Sequence, residues 1–336
     1  MQINMQEWKR SLLESRTVEA LPIMSYPGLD LTGMKILDVV NHAEHQAECI
    51  ERVAAAYPTA AAITMMDLSI EAEAFGAPVR IVDNDIPTVC GHIVSDESAA
   101  EALAVPEVGA ARSAAAIRAV ELASQRIKDK PLFAMQIGSF SLAADLIGLS
   151  ETLMALMKQP ALALKVLDKA VTFSVAYAKA LKEAGANGVI MADMSAGLLS
   201  PKLCALYSSA YVKKIVDAVQ DENFLVILHN CGNTRRLAPS MAETGAAGFH
   251  FGNAVKMNDV IPQLPEESLA MGNIEPSGLF RLGTPESMHA GVRALLEETK
   301  GAKNFVLSSG CDVPLETPLA NIDAFFAALA QFNAKN

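Results

Sequence analysis

The chain has 336 residues, 51% apolar and 19% charged, with 27 Lys and Arg against 38 Asp and Glu for a formal charge of −11. That composition excludes a disordered chain and, with no basic cluster, argues against nucleic acid or an anionic membrane as the main partner. The five cysteines, Cys49, Cys90, Cys204, Cys231 and Cys311, are odd in number and scattered. They suit reduced thiols in a cytoplasmic setting and not a disulfide scaffold.

Met1–Arg16 mixes Glu7, Lys9, Arg10, Glu14 and Arg16 with Trp8, Leu12 and Leu13, the pattern of an amphipathic surface helix. It lacks the apolar core of a signal peptide. No run of about 18 apolar residues occurs that would span a membrane. Short runs, apolar on both faces, follow at Ala61–Met66, Leu132–Ile137, Val189–Ala192, Phe224–Leu228, Gly248–Phe251, Leu269–Gly272 and Phe305–Leu307. Parallel strands covered on both sides read this way. Val79–Val89 carries two β-like runs around Asp83-Asn84-Asp85, a hairpin insertion. Helices are expected at Val108–Lys128, Pro160–Ala184, Pro201–Gln220, from the Thr284 cap to Thr299, and at Pro318–Leu329. The alternation means α/β. The expected architecture is a (β/α)8 TIM barrel, one domain over residues 1–336, with residues 1–56 as an N-terminal helical cap. Seven strands are placed, and the eighth needed for closure is not located.

In such a barrel the chemistry sits at the C-terminal ends of the strands. The polar residues there are Asp67 with Glu71, Gln136, Asp193 with Ser195, and His229, Asn230, Cys231 and Asn233. Further round come His250 and Asn253, Asn273 and Glu275, then Cys311 and Asp312. His229 and Cys231 are two apart, so an extended segment points both to one face. One His and two Cys suit Zn²⁺, and three protein ligands leave the open position of a catalytic site. Plainer readings stand beside this. A Cys after a strand is usually a small apolar residue. His250 reads equally as a fourth ligand, a substrate contact or a hydrogen-bonded barrel histidine. Asp67 and Glu71 read as acids opening a helix. Cys49, Cys90 and Cys204 read as inert thiols.

The residues also carry a resemblance. The segments are Asp67-Leu68-Ser69-Ile70-Glu71, Gly138-Ser139-Phe140-Ser141, Ala192-Asp193, Leu198-Leu199-Ser200-Pro201, His229-Asn230-Cys231-Gly232-Asn233, Gly272-Asn273-Ile274-Glu275-Pro276 and Ser309-Gly310-Cys311. In these the chain resembles the uroporphyrinogen decarboxylase superfamily, and within it the zinc-dependent corrinoid methyltransferases. The resemblance implies a β/α barrel, zinc on His229, Cys231 and Cys311, and Asp193 as an acid at the pocket rim. It implies a separate corrinoid protein that brings the methyl group, and a zinc-activated thiol of the coenzyme M kind as acceptor. Asp67, Gln136, Ser195, Asn230, Asn233, Asn253, Asn273 and Glu275 are expected to face substrate or corrinoid. Transfer from a methylated donor such as a thioether onto the corrinoid uses the same site and is the alternative. A decarboxylase is a further one. The Arg-rich N-terminal motif of true decarboxylases is absent, which argues against a tetrapyrrole with many carboxylates. Where coenzyme M enzymes tend to carry acids after the fifth strand, this chain reads His250-Phe251-Gly252-Asn253-Ala254. The fourth ligand and the acceptor are therefore open. So is the oligomeric state, with a homodimer as one option.

Overall fold

The structure, a computed structural model, describes residues 3–335. Its strands are β1 (Ala62–Ile63), β2 (Val79–Val82), β3 (Asp85–Val89), β4 (Leu132–Ile137), β5 (Gly188–Ala192), β6 (Leu225–Asn230), β7 (Gly248–Phe251), β8 (Leu269–Ile274) and β9 (Phe305–Ser309). Seven of them form one sheet in the order β1-β4-β5-β6-β7-β8-β9, every neighbouring pair parallel. β2 and β3 form the expected antiparallel hairpin. The pleat sends alternate side chains to opposite faces. Phe133, Met135, Ile190, Leu225, Ile227, Met271 and Val306 pack together on the inner face. Ala134, Val189, Met191, Val226, Leu228 and Leu307 belong to the outer core shared with the helices. Burial on both faces is why these strands read as unbroken apolar runs.

The eighth strand does not form as a regular strand. Beside β9 lies an extended segment, residues 19–23, whose Ala20 makes a single parallel bridge to Leu307. Leu21 N donates to Leu307 O at 2.9 Å and Leu307 N to Glu19 O at 2.9 Å, while on the other side Ala60 N donates to Ala20 O at 2.8 Å. Pro22 has no N–H to give, so the ladder stops there. The expected eight-stranded barrel is thus a curled parallel sheet of seven strands, with one bridge where the eighth was sought. Leu21 and Ile23 join the inner core, so part of the expected cap is wall.

The first helix spans Met5–Glu14, and residues 1 and 2 of the expected 1–16 helix lie outside the described residues. It is more than a surface helix. Met5 is fully buried. The Trp8 ring stands 5.5 Å from that of Phe133, and its Nε1 donates to Ala60 O at 3.2 Å. β1 is two residues long because Met135 N donates to Thr64 Oγ1 at 2.9 Å instead of to a backbone carbonyl. The helix expected over Pro201–Gln220 is split into Pro201–Cys204, a π-helical turn at Ala205–Ser209, and Ala210–Val219. Among the described residues no single helix is long and apolar enough to cross a membrane. Ser139–Ile147 and Leu149–Lys158 meet that measure only together, as a pair bent by 102°.

Candidate metal centre

His229 sits near the end of β6 on the inner face, in register with His250 on β7. Cys231 follows β6 directly, and Cys311 lies two residues beyond β9. The donor atoms of His229, Cys231 and Cys311 all fall within 4.8 Å of one another. His229 Nε2 is 3.7 Å from Cys311 Sγ. Around a tetrahedral ion with Zn–S and Zn–N bonds of ordinary length, nitrogen and sulfur stand about 3.6 Å apart, so the spacing suits such an ion. Gly252 makes the loop approach possible: a Cβ there would lie 2.5 Å from Cys231 Cα. The Cys311 thiol beside it and the His229 imidazole pull the Cys231 thiol down, while the Cys231 sulfur and burial push Cys311 up. One of the two sulfurs is thus eased toward the thiolate, the form in which cysteine binds a metal.

A chain of hydrogen bonds sets which nitrogen of His229 is bare. Ser308 Oγ donates its one proton to Leu21 O at 2.7 Å. It must then accept from His250 Nε2, also at 2.7 Å. Burial, and then the charge His229 would carry, keep the His250 pKa well below that of an ordinary histidine, so the ring is neutral. With its proton on Nε2, His250 offers a lone pair at Nδ1, 2.7 Å from His229 Nδ1. His229 therefore donates from Nδ1, and in its neutral form this leaves Nε2, the atom facing Cys311, as the lone-pair nitrogen open to a metal. Of the readings open for His250, the hydrogen-bonded barrel histidine is the one seen, and that of a fourth ligand is corrected: both its ring nitrogens are occupied, and it stands behind His229.

Asp193 is corrected as well. It is 1% exposed. Oδ1 accepts from Ser141 N and Oγ, both at 2.8 Å, and Oδ2 accepts from Ser208 Oγ, delivered by the π-helical turn. Burial pushes its pKa up despite these bonds. The carboxylate ties three segments together and faces no open space. Asp67 is likewise enclosed. It is ion-paired with Arg112 and accepts from Ser69 N and Oγ. Gln136 Nε2 donates to Ser174 O at 2.8 Å, toward the helices. Asn230 braces the Cys231 loop, with Nδ2 donating to Asp193 O at 2.6 Å and Oδ1 accepting from Gly232 N at 2.9 Å. Asn273 Nδ2 donates to Gly252 O and Val255 O. Ser195 N donates to Ser141 Oγ at 3.0 Å. Asn233, Asn253 and Glu275 are exposed.

None of these eight lines the main cavity. That cavity, ≈ 670 Å³, has Cys311 and Met66 in its lining together with Tyr26, Leu29, Met194 and Leu315. Residues 83–89, from the hairpin, form another wall. Beside Cys311, Asp312 accepts from Ser25 N and Oγ, and burial pushes it up to about 7. Asp145 also lines the cavity, and burial pushes it up to about 7. Sequence reasoning passed over Asp145. The signal was available, since it is the only charge in the helix Ser139–Ile147.

Metal-type donors at the carboxyl ends of parallel strands, one of them in the lining of a cavity, are the arrangement of an α/β enzyme built on a curled parallel sheet. The uroporphyrinogen decarboxylase family model matches residues 22–332, and the chain belongs to that family. A methylcobamide:CoM methyltransferase of Methanosarcina acetivorans is 30% identical over 260 residues, 76% of this chain and 75% of the relative. A uroporphyrinogen decarboxylase of Hydrogenovibrio crunogenus is 27% identical over 310 residues, 89% of this chain and 86% of that one. A solved methyltransferase from Methanosarcina mazei shares the fold, with a TM-score of 0.88 over 98% of this chain and 99% of that chain at 23% identity.

Proposed function

We propose that this enzyme is a zinc-dependent methyltransferase, moving a methyl group between a corrinoid carried by a separate protein and a small thiol. The observation that carries the reading is the three-donor cluster of His229, Cys231 and Cys311, with Cys311 in the lining of the cavity. Relatives named methylcobamide:CoM methyltransferases support the corrinoid part. Zinc bound by these three residues would act as a Lewis acid that keeps a substrate thiol deprotonated at neutral pH, where a free thiol is mostly protonated.

The chain's own residues prepare that chemistry. Leu21, Ser308 and His250 hold His229 in the ligand tautomer. Asn230 and Gly252 set the loop that presents Cys231. Tyr26, Leu29, Met66, Met194 and Leu315 give the cavity an apolar wall in the lining it shares with Cys311. Two metal-type thiols also suit the reducing cytoplasm.

Decarboxylation of a tetrapyrrole with many carboxylates has less support. The cations in the cavity lining are Lys35 and Arg281, and each stands beside a carboxylate. Zinc analysis and zinc-edge X-ray absorption, with and without candidate thiols, test the proposal. One zinc per chain that gains a sulfur neighbour on thiol addition supports it. No zinc, or no change with any thiol, rejects it. Assays with methylcobalamin plus thiols, against demethylation of methylated donors, separate the two directions.

A further inference from the structure

The charge of the cavity bears on which thiol it takes. Its lining holds six carboxylates, Asp30, Asp83, Asp85, Asp145, Asp312 and Glu316, and two cations. Arg281 Nη2 donates to Glu316 at 2.5 Å. Lys35 Nζ lies 3.9 Å from Asp83, on a side chain 71% exposed to water. Asp85 pairs with Arg80 at 2.7 Å, and Asp312 is held by Ser25. No hydrogen-bond donor or cation of the described residues reaches the Asp145 carboxylate. Arg281 is thus matched at close range and Lys35 stands in water beside Asp83, while at least one carboxylate has no cation.

A zinc site with two cysteinates and a neutral histidine is formally neutral, and a bound substrate thiolate makes it −1. A sulfonate or carboxylate at the far end of a small thiol would bring a second negative charge into a space where carboxylates outnumber cations six to two. An ammonium would enter a lining in which carboxylates outnumber cations, Asp145 among them. An uncharged end would meet the apolar wall.

Resting on the methyl-transfer reading above, we propose that this cavity selects a small thiol whose far end is an ammonium or an uncharged group. Asp145 is the specificity-determining residue, and sulfonate- and carboxylate-tailed thiols are rejected. Burial costs the Asp145 carboxylate its ease of ionisation, and a cation beside it offsets that cost.

Three thiols of one length separate the cases: 2-mercaptoethylamine, 2-mercaptoethanol and 2-mercaptoethanesulfonate. Binding to the zinc-loaded full chain is measured by calorimetry, and the sulfur count at the metal by zinc-edge absorption. The expected order is amine, then alcohol, then sulfonate, with the amine binding at least about tenfold more tightly than the sulfonate. Asp145→Asn, checked for an unchanged circular dichroism spectrum and melting temperature, should remove most of that difference. Equal or tighter sulfonate binding to the unaltered protein overturns the proposal without any variant. A preference that survives Asp145→Asn overturns the role of Asp145. A sulfonate thiol that adds a sulfur to the metal while the amine does not defeats the proposal but leaves methyl transfer standing. If no thiol adds a sulfur, the methyl-transfer reading falls, and the proposal with it.

Discussion

Two polar clusters stand on the same rim, and they differ in what they leave unused. Around Asp193, both carboxylate oxygens accept from Ser141 and Ser208, and Asn230 donates to the Asp193 carbonyl. Around His229, the bonds run backward, through His250 and Ser308 to Leu21. The forward atoms, Nε2 and two sulfurs, gather within 4.8 Å of one another. Polarity at a strand end therefore does not distinguish a working site from a brace. The distinction is whether the lone pairs are already engaged within the protein.

The widest difference should appear on removing one member of each cluster. Cys311→Ala is expected to take zinc from about one per chain toward none and to abolish methyl transfer, since two protein ligands do not hold this ion. Metal analysis after gel filtration reads it, with a folded circular dichroism spectrum as the control. Asp193→Ala is expected to do the reverse. It strands three buried donors and should lower stability by about 3–5 kcal/mol in urea titrations. Folded protein should still bind zinc one to one. Loss of zinc from folded Asp193→Ala would erase the contrast.

Glu71 sharpens the braced side. It is fully enclosed, accepts from Ile137 N at 2.9 Å, and burial raises its pKa from 4.5 to about 8. A carboxyl whose folded pKa is raised stabilises fully below its unfolded pKa, and that contribution is lost as pH rises through the folded value. Between pH 4.5 and about 8 this group should therefore withdraw a few kcal/mol. Glu71→Gln should flatten that stretch of the stability–pH curve. An unchanged slope would show that Glu71 ionises freely. The smallest effects belong to the backing of His229. His250→Phe should weaken zinc binding by about 10–100-fold without removing it, and Ser308→Ala by less. Competition with a chromogenic chelator measures both, and an affinity unchanged in His250→Phe would show that the tautomer needs no support.

Much of this was legible in the sequence. The parallel strands carried it because they are apolar on both faces. The candidate metal donors carried it because a histidine and a cysteine two apart on extended chain share a face, and the structure gathers that pair with Cys311. Asp193 and Asp67 misled for a physical reason. A carboxylate at a strand end looks the same whether its partners are substrate atoms or the hydroxyls of Ser141, Ser208 and Ser69, and those partners come from distant segments. His250 stayed undecided because its partner is the neighbouring strand's histidine, which register alone decides. The missing strand was hidden by Pro22 and by its position ahead of every other strand in the chain.

That early position reaches beyond the shape of the wall. Leu21 and Ser308 are joined by a hydrogen bond across 287 residues, and Ala20 bridges to Leu307. On a ribosome the first of these residues emerges long before the second. The seam between residues 19–23 and β9 therefore cannot form until nearly the entire chain has been synthesised, and contacts this remote in sequence form slowly. Because the same seam orients His229, the candidate donor geometry cannot be complete before that point. A nascent chain does not present the complete ligand set to ions before the protein around it is built.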